Sequence, residues 1–370
     1  MRNVAIGFSQ TYGKGIYPSI ATNKSEFVID VHQSQVTETL WYQVGELIGG
    51  YTDFGESREY DTGRYPSVAL DNNGLVVEVH ESDGLSNNMW YHVGQLDQAN
   101  KTINWGGSKK YDTGKFPRVA MNSAGTVVEV HESDGISSNM WYHVGRVNAG
   151  NKTIEWGSSH NYDTGQTPSV AINSHGVVVE VHQSEGLSTD LWYHVGRVNA
   201  DSKTIEWGES QKYDSGSHPS IVLTDDYWVI EVHQSQTFNT LWKRIGRVNL
   251  GNNTIEWRGG SEKYGDQGSI PSIAYNGTQL VETHTDGSDL MTSASLFIDR
   301  SDWMKNSLQV IGQKTLKNVI LPAAHDASMY EVNNCTSLGP FGANSCNTQT
   351  QTSSYLGQLT AAYATLTCGR

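Results

Sequence analysis

The chain has no apolar run near the roughly 20 residues that cross a bilayer as a helix, so a helical membrane span is excluded. Proline is scarce, at eight in 370 residues, and there are only three cysteines. Charge is sparse too: Asp, Glu, Lys and Arg make up 17% of the chain, and the net charge is −14. An excess of acids argues against a nucleic-acid groove or an anionic membrane surface as partner. Met1 is followed almost at once by Val4-Ala5-Ile6-Gly7, without the basic region, apolar core and cleavage site of a secretory signal. No such signal is therefore expected, and export would need a leaderless route. What the chain does have is glycine (38), tyrosine (18) and tryptophan (11), a mixture suited to short strands joined by tight turns.

Sliding the sequence against itself exposes a repeat of about fifty residues. Six of the eight prolines share one phase, Pro18, Pro66, Pro117, Pro168, Pro219 and Pro271, at spacings of 48, 51, 51, 51 and 52. In the fourth unit Pro168-Ser169-Val170-Ala171 leads through a glycine turn to the alternating run Val177 to His182. Leu191 to Gly196 and then Thr204 to Gly208 follow, and the loop Tyr213-Asp214-Ser215-Gly216 ends the unit. Segments of four to eight residues, rich in β-branched and aromatic side chains and bounded by turn residues, read as four antiparallel strands. Four-stranded units repeated about an axis predict an all-β fold, a six-bladed β-propeller over residues 1–300. The sixth unit lacks a fourth strand. The N-terminus supplies one, since Val4 falls in phase with Ile154 and Tyr12 with Tyr162, so Val4 to Phe8 is expected to close the ring.

The rhythm Pro66-Ser67-Val68, Gly74-Leu75-Val76-Val77, Met89-Trp90-Tyr91 resembles that of bacterial propeller lectins. The resemblance implies recognition of a glycan or cell-surface ligand, at blades or between them.

Four sets of polar and aromatic residues recur. Every second strand carries an acid two residues before a histidine: Asp30/His32, Glu78/His80, Glu129/His131, Glu180/His182, Glu231/His233 and Glu282/His284. At period two both side chains share a sheet face, so they must be hydrogen-bonded or lie near the rim. The structural role is an inter-blade acid–imidazole bond; the functional one is a ring of ligand contacts or a metal site. A metal needs three or four convergent ligands, and spacing alone assigns neither metal nor cofactor. Trp105, Trp156, Trp207 and Trp257 share their phase with Phe54 and Ile6, a tolerance that marks packing positions. Trp41, Trp90, Trp141, Trp192 and Trp242 instead open the third strand beside a variable loop, where an indole can stack on a sugar face. His92, His143 and His194 follow in blades two to four, but Gln43 and Arg244 stand there in blades one and five. Equivalent ligand sites are thus expected in blades two to four, on Trp90, His92 and His80, on Trp141, His143 and His131, and on Trp192, His194 and His182.

Beyond Asp299 the repeat stops, and residues 301–370 read as a separate α/β segment. Ser301 or Asp302 can cap a short helix over Trp303 to Val310, and Lys317 to Pro322 reads as a strand leading into Ala323-Ala324-His325-Asp326. This stretch resembles the start of the X domain of phosphatidylinositol-specific phospholipase C, from a bacterial source. The resemblance implies a general-base role for His325 with Asp326 beside it, and phosphoinositide as the full-length relative's substrate. Ala323-Ala324 replace the family's Gly-Thr, and its following Arg-containing strand and second histidine are missing. Codons for Ala364 to Arg370, read in a shifted frame, can encode Tyr-Phe-Asp-Leu-Arg-Pro, the missing strand. A barrel of this class takes about 250 residues, so the expectation is a truncated, inactive fragment. Active phosphodiester cleavage through His325 is the alternative. Cys335 and Cys346 are close enough in sequence for a small-loop disulfide, which would suit secretion.

Overall fold

The computed structural model describes residues 2–299, except 5, 7, 8, 85, 136 and 187, together with 332–335 and 346–349. The first range forms six antiparallel sheets, and the described residues contain no helix. In the second blade the strands run Arg64–Leu70, Leu75–Glu81, Asn88–Asp97 and Thr102–Trp105 from axis to rim. The four-stranded, six-bladed propeller read from the repeat is the fold observed.

Each blade also holds a short segment that the sequence presents as a loop. Lys109–Thr113 returns to pair with the first half of Asn88–Asp97, while Thr102–Trp105 pairs with its second half. The outer edge of every blade is therefore shared by two short strands. The Tyr-Asp-Thr-Gly stretch reads as a turn because Asp and Gly dominate it locally. Its partner is a strand about twenty residues away, which no local pattern shows.

Closure comes from the N-terminus. Arg2–Val4 pairs with Asp289–Asp299, Val4 opposite Phe297, and Gln10–Lys14 pairs with the first half of the same strand. The described pairing thus starts earlier than the expected Val4 to Phe8, because the segment must divide, as in every blade, to cover both halves of its partner. At this seam the ring changes one contact. In the earlier blades Tyr42, Tyr91, Tyr142 and Tyr193 accept a backbone N–H from Ile103, Ile154, Ile205 and Ile255 of the next blade. Lys243 stands at that phase in the fifth blade and donates instead to the Val4 carbonyl.

The core is six inter-blade layers. Ala21, Ile29 and Val31 of blade one meet Val68, Leu70 and Val76 of blade two, and equivalent clusters fill the other junctions. Val4 is 1% exposed among Trp228, Ile230 and Phe297. Outside the ring, Val332–Cys335 pairs with Cys346–Gln349 in a register that sets Cys335 opposite Cys346. The proposed helix and strand at 303–322, and His325 with Asp326, lie outside the described residues.

Closure by so short a strand makes Val4 a sensitive position. Val4→Asp buries an unpaired carboxylate in the seam and is expected to cost about 3 kcal/mol in urea unfolding. A loss below about 0.5 kcal/mol, ordinary for a surface change, would mean that the strand does not hold the ring.

Candidate functional site

The acid–histidine pairs are among the most buried polar groups of the described residues. Glu78, Glu129, Glu180 and Glu231 are fully buried, and their histidines are 1–2% exposed. Each histidine turns Nδ1 to the acid two residues back on its own strand, 3.0 Å for His80–Glu78, His131–Glu129 and His182–Glu180. The acid–imidazole bond is therefore within a blade, not between blades as the spacing suggested. The link across the junction is a tyrosine. Tyr60 on the Arg58–Thr62 strand of blade one donates to Glu78 at 2.9 Å; Tyr12, Tyr213 and Tyr264 do the same to Asp30, Glu231 and Glu282 at 2.8–2.9 Å. Burial first, and the facing carboxylate second, push these phenols well above their ordinary pKa.

Next to three of these pairs lies a second one that spans two blades. Asp61, the neighbour of Tyr60, accepts a 2.7 Å bond from Nε2 of His92, whose Nδ1 donates to the Gly106 carbonyl. Asp112 with His143 and Asp163 with His194 repeat this at 2.7 Å. With an acceptor at each ring nitrogen, the imidazolium form is favoured. Burial opposes the charge, but the bond to the aspartate outweighs it with help from the nearby glutamate, and the histidine pKa rises. Burial likewise opposes ionisation of Asp61, yet the His92 bond and the Thr62 N–H prevail and hold its carboxyl at about 2. The glycine after this motif is required by space. A Cβ on Gly114, Gly165 or Gly216 would sit 2.6 Å from the imidazole of His131, His182 or His233.

The tryptophans complete the cleft. Trp90 is directly opposite His80 in the ladder, and His92 opposite Glu78, so all four side chains share the face turned to blade one. His80 Nε2 stands 3.7 Å from the Asp61 carboxylate. Trp141 with His131 and Trp192 with His182 are placed identically. Trp90, Trp141 and Trp192 are half-buried, and their indole N–H groups meet no acceptor among the described residues. In blades one and five, Trp41 and Trp242 donate to Thr39 and Thr240. Asn88, Asn139 and Asp190 replace those threonines in blades two to four. The fourth-strand indoles are packing groups: Trp105 stacks on Tyr60 with centroids 5.3 Å apart, and its buried N–H has no partner.

The structure thus brings together Trp90, His92 and His80, and each equivalent trio, in the clefts between blades one and two, two and three, and three and four. Sequence reasoning missed Asp61, Asp112 and Asp163, which complete each cleft and are about a quarter exposed. The recurring Tyr-Asp-Thr-Gly was the available signal. Asp61, His80 and His92 offer donor atoms within 4.8 Å of one another, a set suited to a small divalent cation. At 2.7 Å the His92–Asp61 contact is a direct hydrogen bond, with a proton where a cation would bridge.

No protein-family model and no curated protein matches the chain. Solved structures do resemble it. The Penicillium chrysogenum α-L-arabinanase complexed with arabinobiose aligns over 78% of this chain and 98% of its own, at 13% identity and TM-score 0.54. A Dyadobacter fermentans protein of unknown function aligns over 80% and 98%, at 11% identity and TM-score 0.55. The NanB sialidase of Streptococcus pneumoniae aligns over 80% and 71%, at 8% identity and TM-score 0.53. At these identities the likeness shows the fold, a propeller like those of glycoside hydrolases and sialidases.

The aspartate–histidine pairs set a pH window. A raised histidine pKa gives stability that is full below about 6.5 and is lost as pH rises through the folded value; a depressed aspartate pKa gives stability that is full above about 4 and is lost toward 2. The melting temperature should therefore be highest between about pH 4 and 6.5. His92→Gln, His143→Gln and His194→Gln together, copying Gln43 of blade one, should flatten the alkaline decline. An unchanged profile in the triple variant would remove these pairs as its cause.

Proposed function

We propose that the propeller is a glycan-binding ring, with one site in each of the three clefts carrying Trp90, Trp141 and Trp192. The observation that supports this reading is the half-exposed indole whose N–H has no internal acceptor, beside an ionised aspartate and its histidine. A pyranose presents a C–H-rich face that stacks on an indole, and hydroxyls that pair with carboxylate and imidazole. Only blades two to four keep this combination. Blade one has Gln43, blade five has Arg244 on Asp214, and blade six has Met291 and Ser293. The arabinobiose complex of the Penicillium propeller is in keeping with a carbohydrate ligand. Three equal sites on one rigid ring also favour a multivalent target such as a cell-surface glycan, through avidity.

In this proposal residues 1–300 form the binding domain and 301–370 a separate, inactive segment related to the phospholipase X domain. The support for that segment is the Ala323-Ala324-His325-Asp326 context in the sequence. Phosphatidylinositol turnover that His325→Ala abolishes would replace this reading with an enzymatic one.

A glycan array tests the ring directly, followed by tryptophan-fluorescence titration of the saccharides retained. The triple variant Trp90→Ala, Trp141→Ala, Trp192→Ala should lose at least about tenfold in affinity. Trp242→Phe, remote from the three clefts, should change little. An array without any retained glycan, or a triple variant that binds like the parent, would remove the lectin reading.

A further inference from the structure

One position breaks the sixfold pattern on the propeller axis. The residue after the phased proline is serine in five blades, Ser19, Ser67, Ser169, Ser220 and Ser272, and Arg118 in the third. These residues line an axial channel, and neither Asp nor Glu lines it. Each serine Oγ accepts a backbone N–H from the next blade: Ser19 from Val68, Ser67 from Val119, Ser169 from Ile221, Ser220 from Ile273 and Ser272 from Ile20, at 3.1–3.3 Å. A hydroxyl that accepts one bond keeps its own O–H to donate. None of the five serine side chains makes another hydrogen bond among the described residues.

Arg118 adds a charge to this ring of donors. Its Nη1 donates to the carbonyls of Pro117 at 3.0 Å and Tyr65 at 3.5 Å, and it forms no ion pair among the described residues. Burial draws its pKa down to about 10 against the opposing pull of the nearby Glu132 carboxylate, so it stays charged at neutral pH. His218 lines the same channel with its Nδ1 buried and unpartnered. Burial, then Arg118, hold that imidazole at about 4, and it is neutral. The collar of the channel is also conformationally set. Tyr17, Tyr65, Phe116, Thr167, His218 and Ile270, each preceding a phased proline, all lie at φ between 49° and 54°. That region is unfavourable for any side chain and most so for β-branched Thr167 and Ile270. Side chains of the preceding blade lock three of them: Gln33, Glu132 and Gln234 accept the N–H of Tyr65, Thr167 and Ile270.

We infer that the axial channel is a carboxylate-binding site, in which the Arg118 guanidinium pairs with the anion and the serine hydroxyls and His218 complete its hydrogen bonds. One fixed positive charge matches a monoanion, and a planar guanidinium matches a planar carboxylate. The carboxylate can belong to a small organic acid or to an acidic sugar. This site is distinct from the three inter-blade clefts and does not depend on their function.

Calorimetry on the full chain with acetate, D-glucuronate and inorganic phosphate tests the assignment. Saturable one-to-one binding of a carboxylate is expected; glucuronate alone would indicate an acidic sugar, and both together a small acid. Arg118→Ser installs the residue that five blades already carry, so the fold should tolerate it, and affinity should fall at least about tenfold. Should the melting temperature of that variant drop sharply, Arg118→Lys, which keeps the charge but not the fork, should still weaken binding. Arg118→Ser should leave titrations of neutral saccharides unchanged, and the tryptophan triple variant should leave carboxylate binding unchanged. No saturable heat from either carboxylate, tighter binding of phosphate, or full affinity in Arg118→Ser would each overturn the assignment.

Discussion

A buried carboxylate at each blade junction is the constraint around which the rest of the ring is arranged. Glu78 and its equivalents have no access to water, so their charge must be satisfied by protein donors. One donor is the histidine two residues on, which the strand period supplies without further cost. The other is a tyrosine that only the preceding blade can provide. Removing that tyrosine from a formed junction leaves a buried carboxyl oxygen without its donor, a defect of about 1–3 kcal/mol. Apolar layers supply most of the driving force, but they tolerate sliding. The tyrosine–carboxylate bond does not, and where Tyr12, Tyr60, Tyr213 and Tyr264 make it, it sets the register of one blade on the next.

The repeat serves as its own control for separating packing from function. Positions that hold the ring together vary little or only within a chemical type: the fourth-strand Trp gives way to Phe54 or Ile6, and Glu to Asp30. Departures elsewhere carry information. Lys243 in place of tyrosine sits where the closing strand must be gripped by its carbonyl. Thr39 and Thr240 engage the indoles of blades one and five, whereas Asn88, Asn139 and Asp190 leave theirs free. Arg118 in place of serine puts a guanidinium with no ion pair among the described residues on the axis of a protein with a large negative charge.

Much of this architecture was legible in the sequence because a propeller writes each blade locally. Hairpins join neighbouring strands, so the period-two alternation, the glycine turns and the phased prolines report the pairing directly. The short outer segment was not legible, since Tyr60-Asp61-Thr62-Gly63 has turn composition and its partner lies well back in the chain. With that strand unseen, Asp61 could not be assigned to the cleft, and the tyrosine link between blades could not be separated from the acid–histidine pair. The closing segment was legible in phase, through Val4 and Tyr12, but not in its division into two strands.

The three clefts lie in consecutive junctions, and the first of them shares blade one with the junction that the N-terminal segment closes. The acid of that closing junction is Asp30 rather than Glu, its tyrosine Tyr12 bonds both Asp30 and Thr283, and Gln43 takes the place of the histidine. A junction closed by a five-residue strand from the chain's start is the one most exposed to opening, and a cleft there would change shape with every such fluctuation. Blades two to four are joined by continuous chain on both sides, so their Asp–His pairs are held from two directions. For the proposed glycan sites that rigidity is a gain, because side chains already fixed lose little freedom on binding. The third-strand tryptophan recurs in five blades and the histidine in three, and the two coincide at Trp90 with His92, Trp141 with His143 and Trp192 with His194.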